Sequence, residues 1–216
     1  MHVVIVGGHG QVARHLGQRL AERGDTVVGV IRDPAQAQDL DAIGVEPALH
    51  DLEADDADHL ATIVSGADVV VFSAGAGPGS GAARKETVDY AGAVQLITAA
   101  EQADVDRYVM VSAMGTDDPP DGDDVFSVYL RAKARADRAL MASDLAWTVV
   151  RPGRLTDERG TGQVRLARHV ERGEIPREDV AAVIAEVLDR PDTAGRVFEV
   201  VGGTTPIDTA LDALVT

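Results

Sequence analysis

The chain has 216 residues, 45% hydrophobic and 26% charged, with a mean hydropathy of −0.03. This is a soluble globular composition, and no run nears the roughly 18 apolar residues of a membrane span, which excludes an integral membrane protein. Cysteine is absent, and the net charge is −16. Disulfides, thiolate nucleophiles and Cys-ligated zinc are thereby excluded, and nucleic acid and anionic membrane are disfavoured as partners.

The first residues, MHVVIVG, enter a strand pattern directly. They carry no basic n-region and no cleavage site, so the expected location is the cytoplasm. Val3–Val6 reads as a buried strand ending in glycines. Residues 12–23 read as a helix with Val12, Leu16 and Leu20 on one face, stopped by Gly24. A strand at 26–31, a short helix at 34–43 and a strand at 45–49 follow. An acidic helix at 55–64 leads to a strand at 68–72. A glycine-rich turn at 75–81 precedes a helix over 84–102 and a strand at 107–111. A polar loop at 114–123 leads to a helix over 124–142 and a sixth strand at 147–150. Beyond Arg151-Pro152-Gly153 the pattern is irregular to about residue 175. A helix at 179–189, a strand at 197–201 and a short helix at 208–214 complete the chain.

Alternating strands and helices, with nearly continuous apolar strands, imply a doubly wound parallel sheet covered on both faces. This is one α/β domain, 1–216, with 154–195 as a small substrate-side cap. Ligands in such sheets bind beyond the carboxyl ends of the strands, so the informative residues stand just after them.

The first such turn is Gly7-Gly8-His9-Gly10-Gln11-Val12-Ala13. A glycine turn between a strand and a helix lets the backbone approach a pyrophosphate, and the helix N-terminus adds free N–H groups. Ala13 can stand for the third glycine of the dinucleotide fingerprint. Gly7, Gly10, Gln11 and Val12 are therefore cofactor-binding candidates. At the end of the second strand, Arg32 precedes Asp33. A basic residue there suits the 2′-phosphate of NADP, an acidic one the ribose hydroxyl of NAD. Arg32 stands first, which favours NADP. Asp33 is also placed to cap a helix before Pro34.

Tyr129 and Lys133 lie four apart on a helix and share a face. A tyrosine needs a nearby cation to lower its pKa from about 10, and lysine can also reach ribose hydroxyls. The chain has eighteen Arg and two Lys, Lys85 and Lys133, so a lysine here suggests a specific need. Ser112, after the fifth strand, could bond a substrate carbonyl. The six histidines form neither an H-x-x-x-H pair nor a local cluster in sequence, so no metal is expected. His9 is expected to be a solvated turn residue. G-x-S-x-G and Walker patterns are absent.

Taken in order, these pieces resemble an atypical short-chain dehydrogenase/reductase of the NAD(P)H-binding, NAD-dependent epimerase/dehydratase-like group. The matching segments are GGHGQVA at 7–13, Asp51-Leu52, SAGAG at 73–77, Val88-Asp89-Tyr90, YVMVSAMG at 108–115, YLRAK at 129–133 and Arg151-Pro152-Gly153. The resemblance implies a Rossmann fold, bound NADP and a Ser112–Tyr129–Lys133 site for hydride transfer. It implies that Asp51, with Leu52, lies against adenine, and that Ala74 and Gly75 line the cofactor. Asp89 stands where related enzymes carry an Asn that holds a proton-relay water. The short C-terminal part favours a small carbonyl, quinone or flavin over a nucleotide sugar. The rival expectation is a non-catalytic NADP(H)-sensing protein, and the oligomeric state is open.

Overall fold

The computed structural model describes residues 1–77 and 79–216. Of the glycine-rich turn expected at 75–81, residue 78 lies outside the described residues. The chain alternates β1 (His2–Val6), α1 (Gln11–Glu22), β2 (Thr26–Ile31), α2 (Ala37–Asp41), β3 (Glu46–Leu49), α3 (Ala57–Val64) and β4 (Val69–Phe72). Then come α4 (Ala82–Arg84), a π-helical segment (Lys85–Ala91), α5 (Gly92–Gln102), β5 (Arg107–Val111), α6 (Val125–Met141) and β6 (Ala146–Pro152). The last part holds β7 (Arg154–Thr156), β8 (Gln163–Ala167), β9 (Glu174–Pro176), α7 (Arg177–Leu188), β10 (Arg196–Gly202), β11 (Thr205–Pro206) and α8 (Ile207–Val215).

Nine strands form one sheet in the order β11-β8-β10-β6-β5-β4-β1-β2-β3. All run parallel except β8, which is antiparallel to both β10 and β11. This is a Rossmann fold, and its order reverses at β1, between β4 and β2, where Val4 pairs with Val70 on one side and Val28 on the other. Such a reversal opens a crevice at the carboxyl ends of the strands.

The apolar strands read as continuous because both faces are covered. Val3 and Ile5 pack with Leu16 and Leu20 of α1 and Val180 and Ile184 of α7. Val4 and Val6 face the other way, into a layer with Leu60 of α3, Leu96 of α5 and Leu140 of α6. Each fully buried aliphatic side chain is worth about 1.5–3 kcal/mol.

Three local expectations are corrected. The helix over 84–102 is interrupted by a π turn at Lys85–Ala91. The helix at 34–43 is a 3-10 turn, Pro34–Gln36, running into the short α2. The irregular stretch before 175 holds β7, β8 and β9, with β7 and β9 paired in parallel as a separate ribbon. Segment 154–195 thus divides its tasks: β8 joins the main sheet, α7 packs in the layer of α1, and Leu155 and Arg177 face a cavity.

Candidate active site

Two cavities lie over the crevice and share Gly10, Ser73, Ala74 and Gly75. The first, of about 310 Å³, opens over β1, β2 and β3. The second, of about 520 Å³, lies between the ends of β4, β5 and β6 and the helix α6.

The glycine turn fits its place sterically. Gly7 has φ +84°, and a Cβ there would stand 2.6 Å from the Cα of Ala74. A Cβ on Gly8 would meet Gly29 at the same distance. Gly10 precedes α1 and brings no side-chain cap. The first-turn amides of Gln11 and Val12 therefore point out of the helix without an intrahelical acceptor, as an anion site requires. Among the other expected cofactor residues, Arg32, Asp51, Leu52, Ala74 and Gly75 all line the first cavity.

At its outer rim Arg32 stands 3.6 Å from Glu53. Glu53 also accepts from Arg84 Nη2 at 2.7 Å and from Thr87 Oγ1 at 2.6 Å. Those bonds hold its carboxyl below the usual range, Arg84 contributing most. Asp33 accepts from the amide of Ala35 and so caps its own turn. That leaves Arg32 as the charged group of the strand end facing the cavity. His9 is no free turn residue: its Nε2 meets Asp39 at 2.7 Å.

The second cavity gathers Ser112, Tyr129, Lys133 and Asp89 with Gln11 and Val12. Asp124 begins α6 by accepting from the amides of Phe126 and Ser127, which fixes the face on which Tyr129 and Lys133 project. Ser112 is 4% exposed, and its Oγ faces the Asp137 carboxylate without a well-formed hydrogen bond. Asp89 is fully buried. Its Oδ2 accepts from Ala76 N, and its Oδ1 has no hydrogen bond but lies 3.6 Å from Lys133 Nζ.

Lys133 is held from several sides. Its ammonium donates to the carbonyls of Ala74 and Val111, at 3.3 and 3.2 Å, and faces Asp89. The phenol of Tyr129 is pushed well above its ordinary value by burial, with the negative charges of Asp89 and Asp137 adding to it. Lys85 Nζ stands over the ring, 5.4 Å from its centroid, and donates to Gly77 O.

Other lining residues carry no motif. Lys85 comes from the π turn, Phe126 from the exposed start of α6, and Leu155 and Arg177 from the C-terminal part. The scarcity of lysine was the one signal for Lys85. Below the site, Arg151 of the Arg-Pro-Gly motif donates to Asp137 and Asp117, at 3.0 and 2.5 Å, and fastens the loop after β5.

A family model described as NAD(P)H-binding matches residues 7–191. The chain belongs to this NAD(P)H-binding family. An uncharacterized sugar epimerase of Bacillus subtilis is 36% identical over 215 residues, covering 99% of this chain and all of its own. The structure of a Bacillus halodurans protein assigned to the NAD-dependent epimerases/dehydratases superposes with a TM-score of 0.92 at 39% identity, over 99% of this chain and 100% of that one. An anaerobilin reductase of Escherichia coli O157:H7 superposes with a TM-score of 0.79 at 25% identity, over 94% and 97%. The proteins this chain is similar to thus carry epimerase, epimerase/dehydratase and reductase names. Among the described residues, no helix is long and apolar enough to cross a membrane.

Proposed function

We propose that the protein is an NADP-dependent oxidoreductase of the short-chain dehydrogenase/reductase type, acting on a small carbonyl, quinone or flavin acceptor. The observation that carries this reading is the second cavity, where Ser112 and Tyr129 line one space beside the glycine turn. The family membership and the reductase relative support it.

NADPH supplies the hydride when bound. The chain's own residues bind and orient. The amides of Gln11 and Val12 would hold the pyrophosphate, with Gly7, Gly10, Ala74 and Gly75 giving it room. Arg32 would meet the 2′-phosphate, and Asp51 and Leu52 would lie against adenine. Ser112 would donate to the acceptor oxygen. Tyr129 carries its proton at neutral pH and would deliver it as the acceptor is reduced, although its raised pKa makes it a weaker donor than a phenol tuned toward neutrality. Lys133 holds the ends of β4 and β5 at their spacing, and Asp89 fixes Lys133 and the amide of Ala76.

A second reading, a non-catalytic NADP(H) sensor in the cytoplasm, is favoured by one feature: the Lys133 ammonium is taken up by carbonyls and Asp89 rather than turned to Tyr129. Turnover of NADPH against a panel of aldehydes, quinones and flavins separates the two. Oxidation with any of them supports the enzyme. Tight NADPH binding with no oxidation across the panel supports the sensor.

A further inference from the structure

Beside the first cavity, where β3 runs into α3, two histidines and an aspartate converge. His50 Nδ1 and His59 Nδ1 are 3.2 Å apart. Asp55 Oδ2 lies 3.8 Å from the first and 3.7 Å from the second. The three atoms are mutually within 4.8 Å. The side chain of His50 is fully buried, that of His59 about half exposed.

The tautomer of His50 follows from its neighbours. Gln95 Nε2 donates to Asp55 O at 2.6 Å, which fixes the amide orientation and turns Gln95 Oε1 to His50 Nε2 at 3.3 Å. An amide oxygen only accepts, so Nε2 of His50 carries the proton. Its Nδ1 then presents a lone pair, inside the fold, to His59 Nδ1 and Asp55. This is how metal-ligating histidines are held: the far nitrogen donates to an outer partner while the near one is free to ligate.

The spacing suits a small cation. The point equidistant from the three atoms lies about 2.1 Å from each, within the usual range of zinc to imidazole nitrogen and carboxylate oxygen, about 2.0–2.2 Å. Asp55 Oδ2 also accepts from the amide of Asp51 at 2.8 Å, which fixes the carboxylate in place. Asp55 and His59 are both open to solvent, which leaves a fourth position for water.

We propose that His50, Asp55 and His59 form a site for a divalent late transition metal, zinc above all, clipping the end of β3 to the first turn of α3. The proposal rests on these three side chains and not on the reading of the cofactor cavity, although His50 also lines that cavity beside Asp51.

The test uses the full chain without a tag, stripped by chelator, dialysed and titrated with zinc chloride by calorimetry at neutral pH. A single strong site is expected, lost in His59→Gln and in Asp55→Asn, whose exposed positions leave the fold intact. Gln95→Met keeps all three ligands and removes the outer partner. It should weaken binding roughly 10–100-fold. Zinc at about a hundred times its dissociation constant should raise the melting temperature by roughly 5–10 °C, and this rise should vanish in His59→Gln. Cobalt(II) in place of zinc should give the visible absorption of a four-coordinate site. Absence of zinc uptake by the parent chain, or equal uptake by His59→Gln and Asp55→Asn, would overturn the proposal and leave a hydrogen-bonded histidine pair.

Discussion

Lys133 and Asp89 face each other at 3.6 Å with both side chains buried. Removing either one leaves an uncompensated charge in the interior, which is costly. The pair also governs the phenol beside it, because the Asp89 carboxylate is one of the charges that raise the Tyr129 pKa. Asp89→Asn removes that charge and leaves the lysine charge less compensated. The phenol pKa should fall, while remaining above its ordinary value because burial is the larger cause. Stability should drop by about 3 kcal/mol, the low end for breaking a buried pair, since two carbonyls still hold the ammonium. The check is an alkaline titration of tyrosine absorbance, with Tyr129→Phe subtracted. An unmoved Tyr129 transition would show that Asp89 does not act on it.

Tyr129→Phe keeps the ring and its packing and removes the proton donor. Turnover should fall roughly 10²–10⁴-fold, with NADPH affinity little changed. Lys133→Met should behave otherwise. It strips donors from the carbonyls of Ala74 and Val111 and leaves Asp89 unpaired, so stability should fall by about 3–5 kcal/mol, together with cofactor affinity. Steady-state rates, fluorescence titration and thermal melts on the two variants separate chemistry from support. Unchanged turnover in Tyr129→Phe would mean that solvent or another group supplies the proton.

The sheet was readable from residues because Val3–Val6 and Val69–Phe72 are apolar on both faces, as strands buried from both sides must be. The crevice followed from the strand ends, and the expected cofactor and Ser–Tyr–Lys residues all line its two cavities. What escaped detection has no side-chain pattern. The partners of Lys133 are main-chain carbonyls, which any residue offers. The π turn is written in KETVDYA, a sequence that suits an α-helix equally well. β8, QVRLA, is too short to outweigh the turn residues around it. His50 and His59 are nine apart and belong to a strand end and a helix, so neither period brings them together on paper.

Arg32 is exposed at the rim and bound loosely by Glu53, which Arg84 and Thr87 hold more closely. Arg32 is therefore free to turn to a 2′-phosphate. Arg32→Ala should lower NADPH affinity roughly 10–100-fold, the worth of a hydrogen bond to a charged group, and leave NADH affinity nearly unchanged. Fluorescence titration with both cofactors decides it. Equal affinities in the parent protein would remove the basis for NADP preference.

Gly10 has φ −60°, so a side chain is tolerated by the backbone. A Cβ there meets Gly7 O at 3.2 Å and otherwise projects into the space shared by the two cavities. Gly10→Val should fold, as judged by circular dichroism, and lose NADPH binding. Normal binding by a folded variant would place the pyrophosphate elsewhere.

Asp117 and buried Arg151 supply the pH-dependent prediction. Burial raises the pKa of Asp117, but Arg151, Arg168 and His169 together outweigh this and hold its carboxyl below the ordinary value of 3.8. The folded-state pKa is thus depressed relative to the unfolded chain, so the pair stabilises the fold fully above about pH 4, and this contribution is lost as the pH falls through the folded pKa. Asp117→Asn should cost about 1 kcal/mol at neutral pH. That is below the usual worth of a hydrogen bond to a charge, because the carboxylate is 39% exposed and screened by water. Arg151 keeps Asp137, at 3.0 Å, so the guanidinium is not left without a partner. Urea denaturation of parent and variant at neutral pH and near pH 3 measures the difference. It should narrow as the pH falls, and a gap of constant size would show that the ion pair contributes nothing beyond the packing of the side chain.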